Sequence, residues 1–229
     1  MTIVAVTGLA REARIAAGTS VKTVISGGSA ERLRGLLSAA LTEDVEAIIS
    51  FGIAGGLSHS LQVGDCVIAS EIVGPTGRFT VHKTWTANLS ARLLYASIAP
   101  IAGTDAILTE PSAKAALHAA TGAAAADMES HVAAQLAFER NLPFAALRTI
   151  SDTAGRALPD AVRQALNPDG GTNLRAVLRS VLRNPGQIPA LIRTGREAET
   201  AFRALLRCRN LLDARLGAVD FGELALDMR

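Results

Sequence analysis

Four carboxylates stand where predicted strands end, and their types and spacing suit the cleavage of a glycosidic bond. Glu12 follows the first apolar segment, Asp127 and Glu129 follow an alanine-rich one, and Asp152 follows the apolar run 144–150. Such cleavage passes through an oxocarbenium-like transition state. One acid protonates the leaving group while a second carboxylate activates water on the opposite face of the sugar. The acid needs a raised pKa, which burial at the floor of a pocket supplies. Asp152 suits the proton donor and Glu12 the base that activates water. Glu129 suits a third task, accepting hydrogen bonds from vicinal ribose hydroxyls. Each residue also has a plainer explanation. Glu12 could serve as a charge at a helix N-terminus, Asp152 as an N-cap, Glu129 as an exposed first-turn residue, and the glycine-rich run 52–56 as a tight turn. The combination and order of these elements favour the functional reading.

The elements that must position these residues alternate in type. Apolar runs predict strands over 3–6, 21–25, 47–51, 66–69, 124–128 and 144–150. The third is expected to stop at the run Gly52-Ile53-Ala54-Gly55-Gly56. Leu33, Leu36, Leu37 and Ala40 recur at helical spacing over 31–41, and a further helix is expected over 131–140. Strands alternating with helices predict an α/β domain with a mostly parallel sheet, whose ligands bind at the carboxyl ends of its strands. Gly8, Gly52, Asp127, Glu129, Ser151 and Asp152 all fall at such ends, so one pocket is expected to gather them.

The chain is read as one domain, an α/β body over 1–168 with a helical extension over 169–229 packed upon it. The change of character comes at Pro168-Asp169-Gly170-Gly171. Leu174, Val177, Leu178, Val181 and Leu182 then form an amphipathic stripe. The segment from Pro185 to Pro189 breaks it, and a second helix is expected over 191–209, with Arg193, Arg196, Arg203, Arg207 and Arg209 on its polar side. Two readings stand: a hairpin packed on the core with a solvated basic face, or a surface for an anionic membrane or a lipid-like substrate.

Composition narrows the classes. The 229 residues carry a formal charge of only +2 and 3% aromatics, which argues against a nucleic-acid partner held by electrostatic pull or base stacking. Cys66 and Cys208 are isolated from each other and from any histidine pattern, so neither a metal site nor a disulfide framework is expected, and a reducing cytosol fits. The start has no secretory signal pattern, and the apolar runs are far shorter than a membrane span. The expected location is cytoplasmic. The four histidines are read as structural or surface residues.

The motifs then reach a family. Ser50-Phe51-Gly52-Ile53-Ala54-Gly55-Gly56-Leu57 followed by Val63-Gly64-Asp65 resembles the glycine loop and next strand of nucleoside phosphorylases and methylthioadenosine/S-adenosylhomocysteine nucleosidases. Asp127-Met128-Glu129-Ser130 resembles their ribose-binding segment, and Arg148-Thr149-Ile150-Ser151-Asp152 their late strand with its catalytic Ser-Asp. The resemblance spans about residues 2 to 160 and implies a three-layer α/β/α sandwich of the nucleoside phosphorylase type. It implies Asp152 as donor to N7 of a purine, Glu12 as base, and Gly8, Ala54, Gly55, Asp127, Met128, Glu129 and Ser151 at the substrate. The segment 103–107, with Ile107, would lie near the purine. The wording is most similar to the hopanoid-associated phosphorylase branch, as is the tail Asn184-Pro185-Gly186-Gln187-Ile188-Pro189. That implies a nucleoside with a large apolar 5′ group such as adenosylhopane, and peripheral membrane contact through the tail. A small 5′-thioadenosine is the alternative substrate, and a non-catalytic nucleoside-binding protein the alternative class. The family implies a homodimer and no cofactor, with phosphate as an optional co-substrate. Two residues depart from the pattern. Ile53 stands where many nucleosidases have a small polar residue, and Asp127 where a glutamate is common. Arg11, Arg14, Arg32 and Arg78 are candidate phosphate ligands by position only.

Overall fold

A computed structural model describes residues 2–164, 167, 169–171 and 173–221, with the side chains of 163–164 and 174–177 outside that description. The first half of the chain forms β1 (Thr2–Thr7), α1 (Ala10–Ala16), β2 (Val21–Ile25), α2 (Ala30–Ala40), β3 (Val45–Gly56), β4 (Cys66–Gly74), β5 (Gly77–Thr80) and α3 (Lys83–Arg92). It continues through β6 (Ser97–Gly103), α4 (Pro111–Thr121), β7 (Ala125–Asp127), α5 (Ser130–Glu139) and β8 (Phe144–Asp152) to the tail helices α6 (Leu174–Arg183) and α7 (Ile188–Leu211).

The layering follows from side-chain alternation along buried strands. In β1, Val4 and Val6 enter a core shared with Leu33 and Leu37 of α2 and Val132 and Leu136 of α5. Ile3 and Ala5 enter a second core, with Trp85 and Leu89 of α3 and Leu205 and Cys208 of α7. Ile48 and Ile49 of β3 divide in the same way. Helices therefore cover both faces, as the α/β expectation requires. Ser29 caps α2 by accepting the Arg32 N–H at 3.3 Å. Leu36, expected on the buried stripe of this helix, is exposed instead.

Two features of the sheet depart from the sequence expectation. First, β3 does not stop at Gly52. It runs on to Gly56, parallel to β8 from Ile48↔Phe144 to Ala54↔Ile150 and antiparallel to β7 at Gly55↔Ala126. The glycine run stays extended because Gly52 to Gly55 pair with β8 and Gly55 and Gly56 with β7. Second, β3 pairs β8, β8 pairs β4, β4 pairs β6, β6 pairs β7 and β7 returns to β3, so part of the sheet closes into a ring. Closure brings the ends of β3, β7 and β8 together, which an open sheet with that strand spacing would not do.

The tail is divided in character. Ala201, Ala204, Leu205 and Cys208 of α7 are buried, and Thr149 of β8 donates its hydroxyl to the Ala201 carbonyl at 3.0 Å. This helix completes one layer of the sandwich. Cys208 and Cys66, read as isolated, meet in that layer with Sγ atoms 3.5 Å apart and both thiols free. The expected stripe on α6 is not buried: Leu178 and Leu182 are exposed. The side chains of Leu174 and Val177, and Pro168 of the preceding turn, lie outside the described residues. The basic side of α7 is partly neutralised, because Arg193 pairs with Glu197 at 2.8 Å and Arg203 with Glu199 at 3.3 Å. Among the described residues no helix is long and apolar enough to cross a membrane.

Candidate active site

In the middle of β8 one fully buried guanidinium, that of Arg148, organises three carboxylates. Arg148 Nε donates to Asp127 Oδ2 at 2.8 Å, and its Nη2 donates to Ser50 Oγ at 2.6 Å and Ser130 Oγ at 3.2 Å. Glu129 Oε2 lies 3.6 Å from the same Nη2. Asp127, expected at the substrate, is used up inside the protein. Its Oδ1 accepts the backbone N–H groups of Glu129 and Ser130 at 2.9 and 2.7 Å, and its Oδ2 also accepts the Ser130 hydroxyl at 2.5 Å. It therefore fixes the start of α5 and the guanidinium plane.

Glu12 reaches the cluster from the first turn of α1. Its Oε2 accepts the Gly8 and Leu9 N–H groups at 2.7 and 2.8 Å, and its Oε1 accepts the Ile53 N–H at 2.7 Å. The bond to Leu9 is the reach-back of an N3 glutamate to the N-cap N–H, so the plainer reading of Glu12 is true as far as it goes. The bond to Ile53 and the burial of Glu12 are what that reading leaves unexplained. Burial pushes the Glu12 carboxyl up to about 7, opposed by the charge of Arg148 and assisted by that of Glu129. Burial likewise pushes Glu129 above the usual carboxylate range. Burial also works against charge on Arg148, but Asp127, Glu129 and Glu12 outweigh it and hold the guanidinium above its ordinary value. One cation shared by three buried carboxylates leaves negative charge in excess, which together with burial holds both glutamates above their ordinary range.

Glycines keep the carboxylates close to the backbone. A Cβ on Gly52 would stand 2.5 Å from both Glu12 Oε1 and Arg148 Nη1. A Cβ on Gly8 would stand 2.8 Å from Glu129 Oε1, the oxygen that accepts the Ser26 hydroxyl at 2.8 Å. Gly52→Ala should therefore displace Glu12 or Arg148 and lower the unfolding free energy by about 1–3 kcal/mol, the scale of overpacking. A urea midpoint equal to that of the wild type would show that both side chains have room to move.

The proton donor expected from the sequence sits in a different environment from the apolar one anticipated. Asp152 is buried, and Lys114 of α4, itself 1% exposed, forms an ion pair with its Oδ1. The Lys114 ammonium also donates to the Thr153 carbonyl at 2.9 Å and the Arg156 carbonyl at 3.1 Å. Ser151 donates its hydroxyl to Asp152 Oδ2 at 2.8 Å. Gly55 lies beside this carboxylate, where a Cβ would be 3.4 Å from Oδ1. Ala54 offers its carbonyl to the Ser151 hydroxyl at 3.1 Å. Met128 is half-buried between Asp127 and Glu129, and Ile107 is half-buried after β6. Sequence reasoning missed Arg148, Lys114, Ser26, Ser50 and Ser130. The arginine stood in plain view within an otherwise apolar strand, and a charge there is the signal that could have found it. Among the described residues no cluster of histidine, cysteine and acidic side chains could hold a metal ion.

A family model described as the phosphorylase superfamily matches residues 29–183, more than half of the chain. The chain belongs to this superfamily. Among curated proteins it is similar to 5′-methylthioadenosine/S-adenosylhomocysteine nucleosidases. It is 28% identical to that of Marinomonas sp. over 144 residues, 53% of this chain and 62% of the relative. It is 29% identical to that of Bacillus licheniformis over 162 residues, 60% of this chain and 70% of the relative. The match thus spans less than two thirds of the first of these relatives. Among solved structures, the Colwellia psychrerythraea nucleosidase in complex with adenine superimposes with a TM-score of 0.64 at 20% identity, covering 94% of this chain and 97% of that one. The Helicobacter pylori futalosine hydrolase does so with a TM-score of 0.63 at 15% identity, covering 92% and 97%. These structural likenesses establish a shared fold.

For a member of the phosphorylase superfamily, the arginines are informative. A phosphate ligand needs cationic partners that are not already paired. Arg11 is held by Glu199 at 2.5 Å and lies over the Phe202 ring, and Arg78 is held by Glu71 at 2.5 Å. Arg14 Nε donates to the Ala10 carbonyl at 3.4 Å, and Arg32 is an exposed residue of α2. None of the four candidates contacts the Arg148 cluster.

Proposed function

We propose that this chain hydrolyses the N-glycosidic bond of a 5′-substituted adenosine and releases adenine. The observation that carries the reading is the buried Glu12 carboxyl close to Arg148 Nη1, which among the described residues is a buried donor with no hydrogen-bond partner. A water bound there would meet a base that titrates at about pH 7 and a cation that orients it. Glu129, fixed by Ser26, accepts the ribose hydroxyls, and Asp152 faces N7 of the purine. With Arg11 and Arg78 engaged elsewhere, this arrangement favours water over phosphate as the nucleophile.

The finer reading is adenosylhopane as substrate. It rests on the sequence resemblance to the hopanoid-associated branch and on the apolar side chains Leu178, Leu182, Ile188 and Ile192 of the tail, all exposed. These would suit a large apolar 5′ group or the membrane surface that carries it, with the protein cytoplasmic and dimeric. The names of the curated relatives favour a second reading, 5′-methylthioadenosine or S-adenosylhomocysteine as substrate.

The deciding experiment is mass spectrometry of products from adenosylhopane in detergent and from methylthioadenosine, each with and without phosphate. Adenine and free ribosyl hopane, formed without phosphate, are expected. A phosphorylated sugar would overturn hydrolysis. Turnover of methylthioadenosine alone would overturn the hopanoid substrate. No adenine from either would overturn the enzyme.

A further inference from the structure

We propose that Lys114 is the proton source for the leaving base, with Asp152 as the relay between its ammonium group and N7 of the purine. This rests on the nucleosidase reading above. A lysine with its nitrogen buried this fully is costly, and here its three polar contacts all converge on the loop that leaves β8. They are Asp152 Oδ1 and the carbonyls of Thr153 and Arg156. The two carbonyls accept but cannot donate, so the carboxylate is the one contact to which the ammonium can pass a proton that travels further. The other oxygen of Asp152 receives the Ser151 hydroxyl, which holds the carboxylate plane while the exchange takes place.

The Asp152 carboxylate already has a proton donor bound to one of its oxygens. It is a good conduit, because the pair can shift a proton internally when a stronger base forms beside it. The departing purine is that base. As the C1′–N9 bond breaks, its electron pair moves into the ring and N7 takes a proton from Asp152. Asp152 takes one from Lys114, which becomes a neutral amine. Water adds to C1′ and gives its proton to Glu12. Return of that proton to Lys114 through solvent closes the cycle, and the sum is nucleoside plus water to adenine plus the free sugar.

Other charges near the pair are already committed. Arg156 Nε lies 3.4 Å from Glu197 of α7. His118, one turn along α4, has its Nδ1 on the Ala123 carbonyl at 2.7 Å, and Glu110 at the N-cap of α4 is exposed. Among the described residues, buried Glu12, Asp127, Glu129 and Arg148 form the Arg148 cluster, and buried His131 lies 3.1 Å from Asp105. Lys114 acts through Asp152 and is a positioning residue in this scheme.

Two variants, Lys114→Gln and Lys114→Arg, test the relay, with kcat and KM followed from pH 5 to 9 on methylthioadenosine and adenosylhopane. Calorimetry with adenine checks that the pocket is intact. With glutamine, kcat near neutral pH should fall by about a hundredfold, the scale of general acid catalysis, with KM little changed. The deficit against the wild type should shrink as pH falls, because Asp152 then draws its proton from solvent while loss of the Glu12 base affects both proteins alike. With arginine, the charge remains but the proton is not released, so kcat should fall by a similar factor without recovery in acid. Equal loss at every pH for glutamine, or wild-type kcat for arginine, would overturn the relay. A wild type that frees no adenine from either nucleoside would overturn the nucleosidase reading and the relay with it.

Discussion

Arg148→Met should lower the unfolding free energy by about 3–5 kcal/mol at neutral pH, the cost of stranding buried charge when one partner of an ion pair is removed. The side chain is fully buried and donates to Asp127, Ser50 and Ser130, with Glu129 within 3.6 Å. Methionine fills similar volume, so the loss would be electrostatic rather than a cavity effect. The pH dependence separates the two. Glu12 and Glu129 already titrate above their unfolded values, and a raised carboxyl contributes stability that is present at low pH and lost as pH rises through its folded pKa. Removing the cation enlarges that loss. The gap between variant and wild type should therefore be small near pH 4–5 and widen toward and beyond pH 7. Urea unfolding at a series of pH values would measure it. A gap constant with pH would place the cost in packing.

Glu12→Gln should lower kcat for hydrolysis at least about a hundredfold while leaving adenine binding nearly intact. Glutamine retains a carbonyl oxygen for the Ile53 N–H or for the Gly8 and Leu9 pair, so the local backbone has a partner. What it loses is a group able to take a proton from water. The sign of the pH effect follows. Glu12 must be deprotonated to act, and its carboxyl is pushed up to about 7. Wild-type kcat/KM should thus rise with pH to about 7 and then level, and the variant should lack that acid-side inflection. A variant that retains the inflection would move the base to another residue, with Glu129 next in line.

Much of the fold was legible in the sequence. Runs such as 3–6 and 144–150 became β1 and β8 nearly as drawn, because a strand covered on both faces is mostly apolar, and 21–25 became β2, an edge strand with Lys22 exposed. The glycine run at 52–56 was misread as a stop, since glycine signals a turn as readily as a close approach. Here the approach is that of the Glu12 and Arg148 side chains to Gly52. Leu178 and Leu182 of the amphipathic stripe are exposed, which the sequence left open between a packed hairpin and a lipid-facing surface, because periodicity shows that a helix has an apolar face without showing what covers it.

The sequence by itself determined which acids were available, their order along the chain, and the α/β alternation that carries them to strand ends. Only the tertiary structure decided which charges share a buried environment. Lys114 and Asp152 are 38 residues apart, and Ser26 and Glu129 are 103 apart. No local spacing encodes those pairs. They exist because α4 packs against the exit of β8 and because the strand order β2-β1-β3-β7 brings the end of β2 to the start of α5. In a buried environment, partnership rather than residue type sets where the protons reside.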